Sequence, residues 1–312
     1  MKIVFAGADP RSPVVLKALT DAGKDVAAVV TQPDRPAGRK RVLTPNPVKT
    51  AAEKEGIPVY DFPKIREHAA FLAGLGADCM ITCAYGQILS ADVLDAFPGG
   101  VYNVHTSLLP RWRGASPVQH AILAGDEETG VTIMRTETGL DTGDILLTKK
   151  TRILPSHTAG TLADELFVLG AEAVLEALAM LEGGTAVFTP QDSSRASMCG
   201  KITKQDARID FSQPADRISA AVRAYNPQPL AYAFLRGKAV NFFFAESLPE
   251  DGGKGRPGEI LRADRTGIYV RAGQGTVRIL SLQEEGGKVL SASDFANGRK
   301  AAPGDMFAGE RL

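Results

Sequence analysis

Residues 1–31, MKIVFAGADPRSPVVLKALTDAGKDVAAVVT, decide how the rest of the chain is read. Residues 2–7 and 26–31 are short apolar runs of the kind found in strands buried on both faces. The intervening residues 13–22 have helical spacing. Further along, apolar runs recur at 79–84 and 101–106, and helical spacing recurs at 47–55 and 64–75. Strand and helix alternate, which predicts an α/β fold: a mostly parallel sheet whose right-handed helical crossovers cover both faces. Ligands then bind at the C-terminal ends of the strands. The turn after the first strand reads Gly7-Ala8-Asp9-Pro10, with no Gly-x-Gly-x-x-Gly, which argues against a nicotinamide cofactor.

At 312 residues the chain is long enough for two domains. A helix-like segment runs from Gly160 to Leu181, after which Gly183, Gly184, Pro190 and a serine-rich stretch interrupt the pattern. The expected boundaries are a catalytic domain over 1–182, a linker over 183–206 and a second domain over 207–312. The second domain opens with a helix at 214–224 and continues with AYAFL, AVNFFFAE, GIYVRA and TVRILSLQ, divided by Gly and Pro. Short strands of this kind predict a small β-rich domain, a partly open barrel.

The charge is balanced, with 36 Lys plus Arg against 36 Asp plus Glu, so no global basic field points to nucleic acid. The distribution is uneven: residues 1–200 carry 19 basic and 23 acidic side chains, and residues 201–312 carry 17 and 13, for nets of −4 and +4. Three cysteines, Cys79, Cys83 and Cys199, cannot all pair, and no second ligand pair accompanies Cys79 and Cys83 to make a zinc site. No metal is expected. The N-terminus enters a strand directly, and no window reaches about 18 consecutive apolar residues, so the expected location is the cytoplasm, with no membrane partner.

Residues 101–117, VYNVHTSLLPRWRGASP, carry the chemistry. Asn103 and His105 stand two apart, so a strand places both side chains on one face at its C-terminal end. An amide beside an imidazole supplies two hydrogen-bond donors to one developing oxyanion. Ser107, Leu108, Leu109 and Pro110 form a Pro-limited turn whose backbone suits the edge of a flat heterocycle. Downstream, Asp141 sits in a loop framed by Gly139 and Gly143. Taken singly, a strand-end histidine and a loop carboxylate serve structural or solvated roles more often than chemical ones.

Together these pieces resemble a known family. Asn-x-His-x-Ser-Leu-Leu-Pro, followed 36 residues after the His by Asp in Leu-Asp-x-Gly, is similar to the folate-dependent formyltransferases. TQPDRPAGRKRVLTPNPVK at 31–49, AYGQIL at 84–89, LLPRWRGASPVQHAI at 108–122 and KITKQDARIDF at 201–211 extend the resemblance along essentially the whole chain. They point to the members that formylate charged initiator tRNA. The resemblance implies a Rossmann-like N-terminal domain, an OB-like C-terminal barrel that binds tRNA, and 10-formyltetrahydrofolate as co-substrate. It also implies that Asn103 and His105 stabilise a tetrahedral oxyanion, that Asp141 orients His105 and manages the amine's proton, and that Ser107 to Pro110 hold the folate. A monomer is expected.

The loop 33–47 is longer than an ordinary strand-to-helix connection and carries Arg35, Arg39, Lys40 and Arg41 among four prolines. Four cations near the crevice suit the phosphates of a tRNA acceptor stem, which a small nucleotide substrate would not need. Rival substrates are glycinamide ribonucleotide and an amino sugar nucleotide, which the same catalytic groups would serve. A noncatalytic tRNA-binding relative would lack Asn103, His105 or Asp141, and all three are present. Ala8 to Ser12, Thr106 and Arg135 depart from the family's usual residues and bear on packing around the amine side of the crevice.

Overall fold

The computed structural model describes residues 1–37, 42–248, 254–298 and 300–310. The chain divides into two compact units, the first made of Met1–Pro117, Glu128–Arg152 and Ala163–Gly200, the second of Val118–Glu127, Ile153–Leu162 and Lys201–Leu312. Residues 183–200 of the stretch read as a linker thus pack within the first unit, and 201–206 within the second.

The elements begin as β1 (Lys2–Gly7), α1 (Ser12–Asp21), β2 (Asp25–Thr31), a short antiparallel pair β3 (Arg35–Ala37) and β4 (Val42–Thr44), and α2 (Pro47–Lys54). They continue with β5 (Val59–Asp61), α3 (Ala69–Gly74), β6 (Cys79–Cys83), α4 (Ala91–Asp95), β7 (Val101–His105), β8 (Arg113–Gly114) and α5 (Pro117–Ala124). Then come β9 (Glu128–Arg135), β10 (Ile145–Arg152), α6 (Ala159–Glu182) and β11 (Met198–Cys199). The main sheet has the order β10-β9-β7-β6-β1-β2-β5, parallel from β7 to β5 and antiparallel where β9 meets β7 and β10.

Burial explains why the central strands read as unbroken apolar runs. Every residue of β6 is buried, and so are Ile3 to Gly7 of β1, because helices cover both faces of a parallel sheet. On one face Val4, Ala6, Ala28, Val30 and Met80 pack with Ile65, Leu72 and Val93. α1 turns Val15, Leu16 and Leu19 inward. Local sequence sets the start of α2: Asn46 is the N-cap, its side chain accepting from the amide of Val48, and Pro47 fills the first turn, where its missing N–H costs nothing. Strand order reverses between β1 and β6, so the crevice expected of such a sheet opens at their C-terminal ends, where Gly7 pairs with Cys83.

In the second unit α7 (Ala215–Ala224) is followed by β12 (Ala231–Leu235), β13 (Lys238–Leu248), β14 (Ile260–Asp264), β15 (Gly267–Arg271), β16 (Thr276–Glu284), β17 (Leu290–Ser291), α8 (Ala292–Asn297) and β18 (Phe307–Ala308). They form a curled antiparallel half-barrel in the order β14-β15-β16-β13-β12-β18, with β17 on β16, in agreement with the sequence expectation. Within the run of three phenylalanines in β13 the register with β16 is irregular twice, between Phe242 and Phe244 and between Phe244 and Ala245. Val240 and Phe242 face the core, the bulge moves the phase by one, and Ala245 faces it again. Phe242 closes on Phe211 and Phe307 with ring centroids 6.2 Å and 5.3 Å away, while Ile218 and Val222 of α7 join the same core.

Candidate active site

β7 brings Asn103 and His105 to the crevice end of the sheet. Asn103 pairs with Thr82 of β6 and with Met134 of β9; His105 pairs with Thr132. The hydroxyl of Thr82 donates to Oδ1 of Asn103 at 2.9 Å, which engages the amide oxygen and leaves Nδ2 as the donor group. His105 is buried, with Nε2 2.9 Å from the carbonyl oxygen of Trp112 and Nδ1 3.8 Å from Oδ2 of Asp141.

Asp141 is therefore not a carboxylate loose in solvent. Its side chain is 13% exposed, and Oδ2 accepts the backbone N–H of Gly114 at 2.8 Å. Its own backbone is left-handed, at φ +51. The loop around it is close-packed: a Cβ on Gly143 would lie 1.9 Å from the carbonyl oxygen of Arg135, so only glycine fits.

Ser107 to Pro110 build the turn that follows. The hydroxyl of Ser107 donates to the carbonyl of Arg111 at 2.7 Å. Thr132 ties the turn from outside, donating to the carbonyl of Ser107 at 2.7 Å and accepting from the amide of Leu109 at 3.2 Å. The carbonyl of Leu108 accepts from Arg111, and that of Pro110 from Ser197. Each carbonyl retains a second lone pair, while Leu108 and Pro110 are half-buried.

The sequence reading missed the residues that hold this turn. β8 pairs with β11 in parallel, Trp112 donates its amide to Oγ of Ser197 at 2.9 Å, and the thiol of Cys199 donates to the Trp112 carbonyl at 3.3 Å. Gln191 bridges Arg113 and the Asp141 loop. These partners lie 48 to 87 residues from the groups they hold. Among the described residues, no group of three or more His, Cys, Asp or Glu could hold a metal ion.

Of the four cations proposed for RNA, Arg39, Lys40 and Arg41 lie outside the described residues. Arg35 is exposed at the start of β3, its Nη2 2.5 Å from Oε1 of Gln32. The neck of the β3–β4 hairpin is braced by Asp34, which accepts the amide of Asn46 at 3.0 Å and pairs with Lys49 at 3.2 Å. The Asn46 amide, then Lys49, hold the Asp34 carboxyl below its ordinary range.

The departures from the family's usual residues are accommodated. Asp9 forms an Asx turn with the amide of Arg11, and the hydroxyl of Ser12 donates to the carbonyl of Cys83. Arg135 is exposed and lies over the ring of Phe188 at 5.1 Å.

An amide and an imidazole two residues apart on one strand, with a carboxylate 3.8 Å from the imidazole, make an arrangement at the strand ends of an α/β sheet that can donate hydrogen bonds to an oxyanion. Comparison with known proteins gives the particular kind. The formyl transferase family model matches residues 1–178, and that of the formyl transferase C-terminal domain matches residues 201–300. The chain belongs to the formyl transferase family. It is 47% identical over 302 residues to the methionyl-tRNA formyltransferase of Pseudomonas syringae pv. tomato, covering 96% of this chain and 95% of that one. It is 44% identical over 307 residues to the enzyme of the same name from Chromobacterium violaceum, covering 97% and 98%. Among solved structures, the sugar 3N-formyl transferase WlaRD matches with a TM-score of 0.67 at 16% identity, over 92% of this chain and 98% of that one. HypX from Aquifex aeolicus, solved with tetrahydrofolic acid, matches with a TM-score of 0.66 at 22% identity over 94% of this chain, which is 46% of HypX. At those identities the shared feature is the fold.

Proposed function

We propose that this protein transfers the formyl group of 10-formyltetrahydrofolate to the α-amine of methionyl initiator tRNA, giving N-formylmethionyl-tRNA for translation initiation. The observation that carries the catalytic part is the approach of Asp141 to Nδ1 of His105, 3.8 Å apart, beside Asn103 on the same strand face.

A carbonyl can only accept, so the contact with Trp112 assigns the hydrogen of a neutral His105 ring to Nε2. Nδ1 is then the nitrogen that gains and loses a proton. The amine attacks the formyl carbon, forming the new C–N bond, and the carbonyl oxygen becomes an oxyanion that accepts hydrogen bonds from Asn103 Nδ2 and protonated His105 Nδ1. The proton on Nδ1 is the one that the attacking amine gives up; Asp141 stabilises that imidazolium and steers the proton on to the folate nitrogen. The bond to the folate nitrogen breaks, and that nitrogen leaves with a proton as tetrahydrofolate. The formamide carbon is electrophilic enough to need no metal.

The folate lies along Ser107 to Pro110, using the second lone pairs of the turn's carbonyls and the surfaces of Leu108 and Pro110. Arg35, Arg39, Lys40 and Arg41, with the positive C-terminal unit, contact the tRNA backbone. The protein acts as a monomer in the cytoplasm. Offering charged initiator tRNA, glycinamide ribonucleotide and a 4-amino sugar nucleotide separately, each with 10-formyltetrahydrofolate, tests the substrate. Turnover with the tRNA alone is expected, and efficient turnover of either small nucleotide would overturn it.

A further inference from the structure

Gln191 belongs to the segment between α6 and β11, which no motif singles out, yet its amide is fully used inside the site. Nε2 donates to the backbone carbonyls of Asp141 at 2.9 Å and Gly143 at 2.7 Å. Oε1 accepts from Nε of Arg113 at 3.0 Å and from Nη2 of the same guanidinium at 2.8 Å. Two N–H groups and two lone pairs are all that a glutamine amide has, so its orientation is determined from both ends.

These bonds close a circuit. Arg113 is buried and immediately precedes Gly114, whose N–H holds Oδ2 of Asp141. The side chain of Arg113 grips Gln191, Gln191 grips the backbone of Asp141, and the carboxylate of Asp141 returns to the residue after Arg113. The left-handed backbone of Asp141 is one that aspartate tolerates better than most residues, and the bonds from Gln191 to the carbonyls of Asp141 and Gly143 hold the loop in it. A separation of 3.8 Å between carboxylate and imidazole leaves Asp141 held from behind rather than by His105.

We infer that Gln191 is a positioning residue that fixes the Asp141 carboxylate opposite Nδ1 of His105. The inference rests on the role given to Asp141 above. Gln191 acts on the chemical step and not on substrate affinity, because its polar groups are all committed to Arg113 and to the loop.

The test is a set of variants assayed for formyl transfer to charged initiator tRNA. Gln191→Ala should lower kcat by roughly 10-fold or more, since displacement of a catalytic group by about 1 Å can cost up to about 10²-fold. KM for tRNA and for the folate should stay within about two-fold, as expected when an interaction made only in the transition state is removed. Gln191→Glu separates positioning from stability. Its carboxylate still accepts from Arg113, but it sets an oxygen against two carbonyls to which it cannot donate, so kcat should fall at least as far as for Gln191→Ala while the circular dichroism spectrum stays that of the parent. Full activity of Gln191→Glu would overturn the inference. The cycle with Asp141→Asn completes the test: in that background Gln191→Ala should cause no further slowing. If Asp141→Asn is slow and the two effects multiply, the positioning role falls alone; if Asp141→Asn turns over at the parent rate, the role of Asp141 falls and the inference with it.

Discussion

Nε2 of His105 lies 2.9 Å from the carbonyl oxygen of Trp112, a residue whose own backbone is left-handed at φ +63. An aromatic residue adopts that conformation rarely, at a cost of order 1–3 kcal/mol. Here Ser197 and Cys199 hold it, the first through the Trp112 amide and the second through its carbonyl. The strained turn thus aims a carbonyl at the imidazole and leaves the opposite nitrogen toward Asp141.

Asn103→Ala and His105→Ala should each reduce kcat for formyl transfer by roughly 10²-fold or more, the usual effect of removing an oxyanion donor or an acid-base group. Both variants should keep the parent's circular dichroism spectrum. Turnover near the parent rate in a folded Asn103→Ala protein would remove the amide from the mechanism.

Gly114→Ala addresses the scaffold. The glycine has φ +122, and a Cβ there would lie 2.3 Å from the carbonyl oxygen of Cys199, across the β8–β11 pair. Backbone must move to admit it, and a stability loss of about 2 kcal/mol or more is expected. Because the Gly114 amide also holds Asp141, kcat should fall with stability. A thermal melt and a rate measurement on one preparation check both.

The parallel sheet was legible in the sequence because two-sided burial writes itself as continuous apolar runs, as in Cys79 to Cys83. Asn103, His105 and Asp141 were legible through their motif, and the comparisons support the family that motif suggested. Gln191 and Ser197 were not, because a glutamine or serine in a Ser-rich stretch looks like solvated loop, and their partners are 48 to 85 residues away. The order of β9 and β10 was hidden for a related reason. β10, at the sheet edge, buries only Leu146 and alternates half-buried and exposed residues from Leu147 to Arg152, and nothing local states whether a strand pairs parallel or antiparallel.

The cysteines give a pH prediction. Burial pushes the thiols of Cys79 and Cys83 up to about 12, and it raises that of Cys199 as well. At pH 8 a thiol with a pKa near 12 is about 10⁻⁴ thiolate, so a disulfide reagent should leave the folded protein unmodified and react with all three cysteines after denaturation. In the unfolded chain the thiols ionise near an ordinary value of about 8.5. From there up to about 12 the unfolded state binds fewer protons than the native one, so these groups stabilise the fold below that window and lose their contribution as pH rises through it. Rapid labelling of Cys83 in native protein at pH 8 would contradict the burial.

Replacing Arg39, Lys40 and Arg41 together by Ala tests how the tRNA is held. All three follow β3 in the sequence, and the described residues Asp34, Asn46 and Lys49 are tied to one another without them, so the charges can be removed without touching those ties. KM for charged tRNA should rise, while folate affinity and melting temperature stay near the parent's. A cation that meets a phosphate releases condensed counterions on binding. The slope of log affinity against log salt should therefore flatten by about 0.7–0.9 for each phosphate no longer neutralised, the range from single strands to duplex. Three cations set the ceiling on that change. A structural role for the same residues would lower stability and folate affinity together and leave the salt slope where it was, and that outcome would exclude them as the docking surface.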